Sequence, residues 1–68
     1  MNNIKTFLKA NNQSFTFDKT YKVFTLENGV ELYRDPVNGY GLRVDGKAST
    51  FGSDKDRFFD KVEEIINA

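Results

Sequence analysis

Hydrophobic and polar residues alternate through residues 14–52 of this chain, and four short polar turns interrupt the alternation. Alternation with a period of two is the pattern of a strand that buries one face. Three of the turns hold Asn-Gly or Asp-Gly pairs, which suit the two-residue type I′ turn of antiparallel hairpins. The turns are Lys19-Thr20, Asn28-Gly29, Asn38-Gly39 and Asp45-Gly46. The pattern predicts a five-stranded antiparallel meander in chain order, with strands at residues 14–18, 21–27, 30–35, 40–44 and 47–51.

Turn positions determine which residues share a sheet face, because the residues that flank a two-residue loop pair and successive pairs alternate faces. Counting outward from each turn gathers nearly every aromatic residue of the sheet on one face, which we interpret as the core. That face carries Phe15, Phe17, Phe24, Leu26, Tyr33, Val37, Tyr40, Leu42, Val44 and Phe51. The opposite face carries Thr16, Tyr21, Val23, Thr25, Val30, Leu32, Arg34, Gly41, Arg43, Ala48 and Thr50.

A short helix is predicted at residues 3–11, where Ile4, Phe7 and Leu8 recur at helical spacing. Three apolar residues are too few for a helix that lies alone on a membrane surface, so we expect it to dock on the sheet. Asparagines on both sides supply the boundary signals, since asparagine is favoured at helix ends. The candidates are Asn2 or Asn3 as N-cap and Asn11-Asn12 as the stop.

A longer helix is predicted at residues 54–67, where Ser53 and Asp56 resemble a capping box. Two helices side by side have the width of a five-stranded sheet, so a two-layer α+β sandwich with both helices on one face is expected. The sequence leaves open whether the shorter helix covers the aromatic face or the open face. A core-facing arc of about 120° on the longer helix carries Phe58, Phe59, Val62, Ile65 and Ile66.

Sixty-eight residues without cysteine make a single small domain that must hold its fold by core packing alone. Ten basic and ten acidic residues cancel, which argues against electrostatic capture of nucleic acid. No apolar run approaches the roughly 20 residues of a membrane span, and the first residues lack the basic-then-apolar pattern of a secretory signal. A cytoplasmic setting without membrane contact is therefore expected.

Catalysis has little support in the sequence. The chain has no histidine or cysteine, no phosphate loop and no Gly-x-Ser-x-Gly motif. Gly39 and Gly41 open a predicted strand, whereas the glycines of a dinucleotide site open a helix. Glu31 and Asp35 share a strand face, but nothing predicts a cleft around them, so we interpret them as solvated charges. We expect a protein without catalytic residues, cofactor or metal.

The open sheet face carries the residues that favour a binding function. The register count opposes Arg34 to Arg43, and like charges opposite each other are unfavourable unless a partner anion lies between them. Arginine and tyrosine beside an apolar group are typical of interface cores. The alternative is that the arginines diverge into water and the shorter helix covers the apolar residues. The predicted partner-binding residues are Tyr21, Val23, Val30, Leu32, Arg34 and Arg43.

Each of two further features has both a structural and a functional interpretation. Acidic residues project from the longer helix, and Glu63 and Glu64 lie near its C-terminus, where a cation is preferred. Such a ridge is either a solvated face or a contact for a basic partner. The loop at residues 35–41 with Tyr40 is either an ordinary hairpin tip or a recognition loop. The acidic ridge consists of Asp56, Asp60, Glu63 and Glu64.

These observations favour a small non-enzymatic adaptor or inhibitor that binds another protein through its open sheet face. In size and in its asparagine- and lysine-rich composition the chain resembles inhibitors encoded by phages and mobile elements. The alternative is a platform for single-stranded nucleic acid, which would stack bases on exposed aromatic residues. Tyr21 is the one aromatic residue that the count leaves on the open face, so protein binding is favoured.

Overall fold

The computed structural model describes residues 3–67, and the predicted N-cap side chains of Asn2 and Asn3 lie outside what it describes. The described part forms a five-stranded antiparallel meander with strands in chain order and one helix at each end of the chain. The elements are α1 (Asn3–Ala10), β1 (Phe15–Asp18), β2 (Val23–Leu26), β3 (Glu31–Asp35), β4 (Gly39–Val44), β5 (Lys47–Gly52) and α2 (Lys55–Ile66).

Both helices pack on one face of the sheet, which confirms the two-layer α+β sandwich. Phe7 of α1 stacks on Phe59 of α2 with ring centroids 4.7 Å apart. The structure thereby shows that α1 covers the same face as α2, and the opposite sheet face carries neither helix. A single buried cluster holds Ile4, Leu8, Phe24, Leu26, Val30, Leu32, Tyr40, Leu42, Phe58 and Val62.

The helix boundaries follow from local hydrogen bonds. Asn12 adopts a positive φ of 56° and ends α1, while the Gln13 amide donates to the Leu8 carbonyl at 2.9 Å, so the predicted stop is confirmed. At α2 the predicted capping box is wrong by one residue. Asp54 is the N-cap, because its carboxylate accepts from the Arg57 amide at 3.1 Å.

The hairpin between β2 and β3 differs from the predicted register. Leu26 donates its amide to the Val30 carbonyl at 2.9 Å, so the loop has three residues rather than two. Phe24 therefore pairs with Leu32, where the prediction paired it with Tyr33. Because a slip of one residue moves every side chain of a strand to the other face, the predicted faces of β3 are wrong. Val30 and Leu32 lie in the core.

The register between β3 and β4 also differs from the predicted one, and this second difference returns the side chains of β4 to their predicted faces. Tyr40 pairs with Arg34 rather than with Val37, a shift of three residues, because Pro36, Val37 and Asn38 form the loop. The two odd shifts cancel, so Tyr40, Leu42 and Val44 face the helices as predicted. Val37 was predicted in the core but is 89% exposed at the loop tip.

The outer hairpins agree with the predicted faces. The first loop spans residues 19–22, and the resulting slip of two residues leaves Phe17 opposite Phe24 on the helix side. The Asp45-Gly46 turn has the predicted two-residue form, with Val44 paired to Lys47. A bulge at Tyr40 then places Gly52, not Phe51, opposite that residue.

Candidate functional site

A shallow groove of about 610 Å³ follows the sheet face that carries no helix. We call it the open-face groove. Its floor consists of outward side chains of the strands, and its rim includes residues of the first and third hairpin loops, 19–22 and 36–38. The groove is lined by Asp18, Tyr21, Lys22, Val23, Thr25, Glu31, Tyr33, Arg34, Asp35, Pro36, Asn38, Arg43 and Thr50.

Tyr33 forms the aromatic floor of the groove. Its ring lies across Gly41 of β4, so a Cβ at residue 41 would come 2.5 Å from Cε2 and 2.6 Å from Cζ of the ring. Only glycine lets the ring approach the sheet backbone this closely. Val23 pairs with Tyr33 from β2 and lies half-buried on the same face. The result is a flat apolar surface at the centre of the groove.

An ion pair lies at one end of this surface. Glu31 and Arg43 are directly opposed across β3 and β4, and Arg43 Nη1 donates to Glu31 Oε1 at 3.1 Å. The predicted opposition of two arginines is therefore wrong, because Arg43 faces a carboxylate. Exposed pairs contribute only about 0–1 kcal/mol to stability, so the pair holds the guanidinium in place more than it holds the fold together.

Arg34 was predicted on the open face, but the observed register places its side chain on the helix side of the sheet. It lies opposite Tyr40, and its guanidinium carbon is 5.5 Å from the centroid of that ring. Because Tyr40 stacks on Phe58 of α2 at 4.9 Å, the guanidinium of Arg34 lies on the helix side of the sheet. Arg34 borders the groove, but its charge is directed away from it.

Tyr21 stands on the groove rim in the loop between β1 and β2, and it is 77% exposed. The Asp18 carboxylate shapes this loop, since Oδ1 accepts from the Thr20 amide at 2.8 Å and from the Tyr21 amide at 3.1 Å. Lys22 follows with a positive φ of 59° and makes no ion pair with any residue in the described range 3–67. The rim therefore offers an exposed ring and an ammonium group.

A second carboxylate shapes the rim at the loop between β3 and β4. Asp35 Oδ1 accepts from the Val37 amide at 2.7 Å and from the Asn38 amide at 3.2 Å. These hydrogen bonds stabilise the charged form and lower the pKa of Asp35 below its ordinary value. Glu31 and Asp35 were predicted to be solvated charges. Both carboxylates make exposed interactions, Glu31 in an ion pair with Arg43 and Asp35 in the turn of its own loop.

The structure thus separates the six predicted partner-binding residues. Tyr21, Val23 and Arg43 line the open-face groove, and Arg34 borders it with its guanidinium on the helix side. Val30 and Leu32 are core residues that a partner cannot contact. The predicted set omitted Tyr33 and Glu31. It also omitted Thr25 and Thr50, although the register count placed both on this face. Gly41 was the available signal, because a glycine inside a strand often marks a place where another group approaches the backbone closely.

The other predicted features lie outside the groove. Asp56, Asp60, Glu63 and Glu64 are all exposed on α2, and Glu64 accepts from the Lys61 ammonium at 3.4 Å. The loop at residues 35–41 presents Val37, while Tyr40 is buried beneath α2.

Within residues 3–67, no three acidic residues lie close enough together to hold a metal ion. No helix in that range is long and apolar enough to cross a membrane. Comparison with protein-family models, with curated proteins and with solved structures finds no match to this chain. The site must therefore be interpreted from its own geometry.

Proposed function

We propose that this chain is a small non-enzymatic protein-binding module, an adaptor or an inhibitor, and that it binds its partner in the open-face groove. One observation carries the proposal: Tyr33 and Val23 form an apolar surface on a sheet face that both helices leave uncovered. Exposed apolar surface that is surrounded by polar residues is typical of interaction sites.

The composition around this surface supports the same proposal. Tyr33 and Val23 lie at the centre, Arg43 is held in place by Glu31, and Tyr21 stands exposed on the rim. Tyrosine and arginine are enriched among the residues that dominate binding energy, especially where polar neighbours exclude water around them. The rings of Tyr21 and Tyr33 are accessible without any movement of the helices. The groove is therefore preformed for a compact protrusion of another protein.

The charges of the groove argue against strong electrostatic steering. The carboxylates of Asp18, Glu31 and Asp35 oppose the cations Lys22 and Arg43. A groove with nearly balanced charge attracts neither a strongly acidic nor a strongly basic partner from a distance. We expect an association rate that changes little with ionic strength.

A platform for single-stranded nucleic acid is the second candidate, and one observation favours it. Tyr33 lies on the open face, so that face carries two tyrosines where the sequence predicted one. Base stacking on such rings is common among single-strand binders, but it accompanies a basic groove, and this groove is not basic. A fluorescent single strand of mixed sequence should therefore show no binding at low salt. Binding that weakens steeply with salt and is lost in Tyr33→Ala would replace our proposal with this candidate.

Affinity capture with matched variants tests the proposed function. Thr50→Arg places a long side chain in the groove, and Tyr21→Ser removes the rim ring. Val37→Ser is the control, because Val37 is an apolar residue even more exposed than Tyr21 that does not line the groove. The partner should be retained by the wild type and by Val37→Ser, with or without nuclease, and lost in the two groove variants. Retention by all four proteins would refute the proposal.

We also propose that the protein works in a reducing compartment such as the cytoplasm, because its fold uses no cysteine. A role as an inhibitor encoded by a phage or mobile element rests on size and composition alone.

A further inference from the structure

The outer edge of β5 is a second candidate binding surface, which shares only Thr50 with the lining of the groove. β5 is the last strand of the sheet, it has six residues against four for β1 at the other edge, and five of the six are exposed. Proteins usually blunt such an edge with proline, a bulge or inward charges, because unpaired backbone groups can pair with another chain. β5 contains no proline, its single charge is Lys47 at the first position, and the bulge in its pairing with β4 lies at its last residue, Gly52.

The register shows which backbone groups this edge presents. The Asp45-Gly46 turn has positive φ at both residues, 52° and 81°, and pairs Val44 with Lys47. In a two-residue hairpin the flanking pair exchanges hydrogen bonds, and successive residues then alternate between inward and outward amides. The amide of Ala48 therefore points away from β4. The Ala48 side chain is exposed and does not line the open-face groove.

Cationic side chains flank the same edge on the helix side. α2 packs on β4 and β5, and Phe59 turns toward α1, where it stacks on Phe7. At 100° per residue, Arg57, Lys61 and Glu64 all lie on the side of α2 opposite to Phe59, and so on the β5 side of the helix. Lys47 points to the helix side as well, because it pairs with Val44.

One carboxylate, that of Glu64, lies among these three cations. Within residues 3–67, Lys47 and Arg57 make no ion pair, and Lys61 makes one ion pair, with Glu64, at 3.4 Å. An added strand would place every second side chain on the helix side of the sheet, next to these three cations, and its other side chains beside the small residues Ala48 and Thr50. The edge is therefore chemically different on its two sides.

We propose that β5 accepts an extended segment of a partner protein as a sixth strand, and that this segment carries Asp or Glu at alternate positions. Main-chain hydrogen bonds to β5 would supply affinity, and the cations Lys47, Arg57 and Lys61 would select the acidic side chains. A second copy of this chain fits less well. Pairing two β5 edges would bring both sets of cations along one seam, where they repel each other.

A synthetic peptide of about ten residues tests this proposal, with glutamate alternating with threonine or valine, blocked ends and a fluorescent label. Binding to the intact protein is followed by anisotropy, beside a peptide with lysine in place of glutamate. The acidic peptide should bind saturably and the lysine peptide should not. Arg57→Ala combined with Lys61→Ala should weaken the acidic peptide about tenfold.

Ala48→Pro removes one amide that points away from β4, and it leaves every hydrogen bond between β4 and β5 intact. Edge strands tolerate proline at such positions. The substitution should abolish peptide binding while far-ultraviolet circular dichroism stays unchanged. Tyr21→Ser is the matched groove variant and should bind the peptide like the wild type, so failure at the edge and failure of the groove remain distinguishable.

Hydrogen exchange on the wild type supplies a measurement that does not depend on the proline variant. The Ala48 amide should become protected when the acidic peptide is added. The proposal is overturned if the peptide does not bind, if it binds Ala48→Pro equally well, or if the Ala48 amide gains no protection. Self-association that Ala48→Pro abolishes would assign the edge to a second copy and would also overturn it.

Discussion

The ring of Tyr33 lies across Gly41 on the sheet face that neither helix covers, so close that a Cβ at residue 41 would come within 2.5 Å of the ring. This relationship joins the fold to the proposed function. The glycine lets the ring lie flat on the backbone, and the flat ring forms the floor of the open-face groove.

Gly41→Ala should displace the ring and destabilise the protein by about 1–3 kcal/mol, the usual cost of forcing an extra methyl group into a packed site. Chemical denaturation of the single and double variants provides the measurement. In a Tyr33→Ala background the same substitution should cost much less, because the colliding ring is gone. Equal costs in both backgrounds would mean that the ring does not lie on Gly41.

The corrected register makes Leu32 a core residue, with 1% of its surface exposed. Leu32→Ala should therefore cost about 2–5 kcal/mol of unfolding free energy, in the range of Phe24→Ala. Tyr21→Ala, at a residue that is 77% exposed, is the control and should change stability by less than about 0.5 kcal/mol. Urea unfolding of the three variants measures these free energies. A loss at Leu32 as small as that at Tyr21 would restore the register predicted from the sequence.

The turns explain why the sequence predicted four of the five strands with the correct faces and one with the wrong faces. A type I′ turn needs positive φ at both central residues. Asp45 and Gly46 meet this condition, whereas in the Asn28-Gly29 pair only the glycine has a positive φ, 86°. Asn28 instead accepts from the Val30 amide through Oδ1 at 3.0 Å. The dipeptide alone does not distinguish these two loops, because both place glycine at the left-handed position.

Burial is the physical reason for the observed choice. The three-residue loop moves Val30 and Leu32 into the core and leaves Tyr33 on the open face. Aliphatic side chains gain more from complete burial than a tyrosine, whose hydroxyl needs water or a partner. This preference depends on the whole sandwich, so it could not be derived from the turn sequence. The groove could be predicted only in part, since its central residue belongs to the strand whose faces were reversed.

Substitutions at the N-cap of α2 distinguish the observed cap, Asp54, from the predicted cap, Ser53. Asp54→Ala should cost about 1 kcal/mol, because the Arg57 amide loses its acceptor. Ser53→Ala should leave stability unchanged within about 0.5 kcal/mol, since the side chain of Ser53 is not the cap. Thermal denaturation of both variants under one buffer condition measures the difference. A larger loss at Ser53 would contradict the assignment of the cap.

Acid should weaken the loop between β3 and β4. The backbone hydrogen bonds from Val37 and Asn38 lower the pKa of Asp35 in the folded protein. A group with a depressed folded pKa stabilises the fold above its unfolded pKa and loses that contribution as the pH falls through the folded value. The wild-type melting temperature should therefore fall more steeply below about pH 4 than that of Asp35→Asn. Parallel curves for the two proteins would show that this carboxylate does not contribute.

The measurement that tests the central claim most directly is a titration of the isotope-labelled protein with the captured partner, followed by amide chemical shifts. Binding in the open-face groove predicts that the largest changes cluster on one sheet face, while the exposed amides of α1 and α2 change little. The residues expected to respond are Val23, Thr25, Tyr33, Arg43 and Thr50. Changes concentrated on the two helices, with these five residues unaffected, would contradict the proposed function.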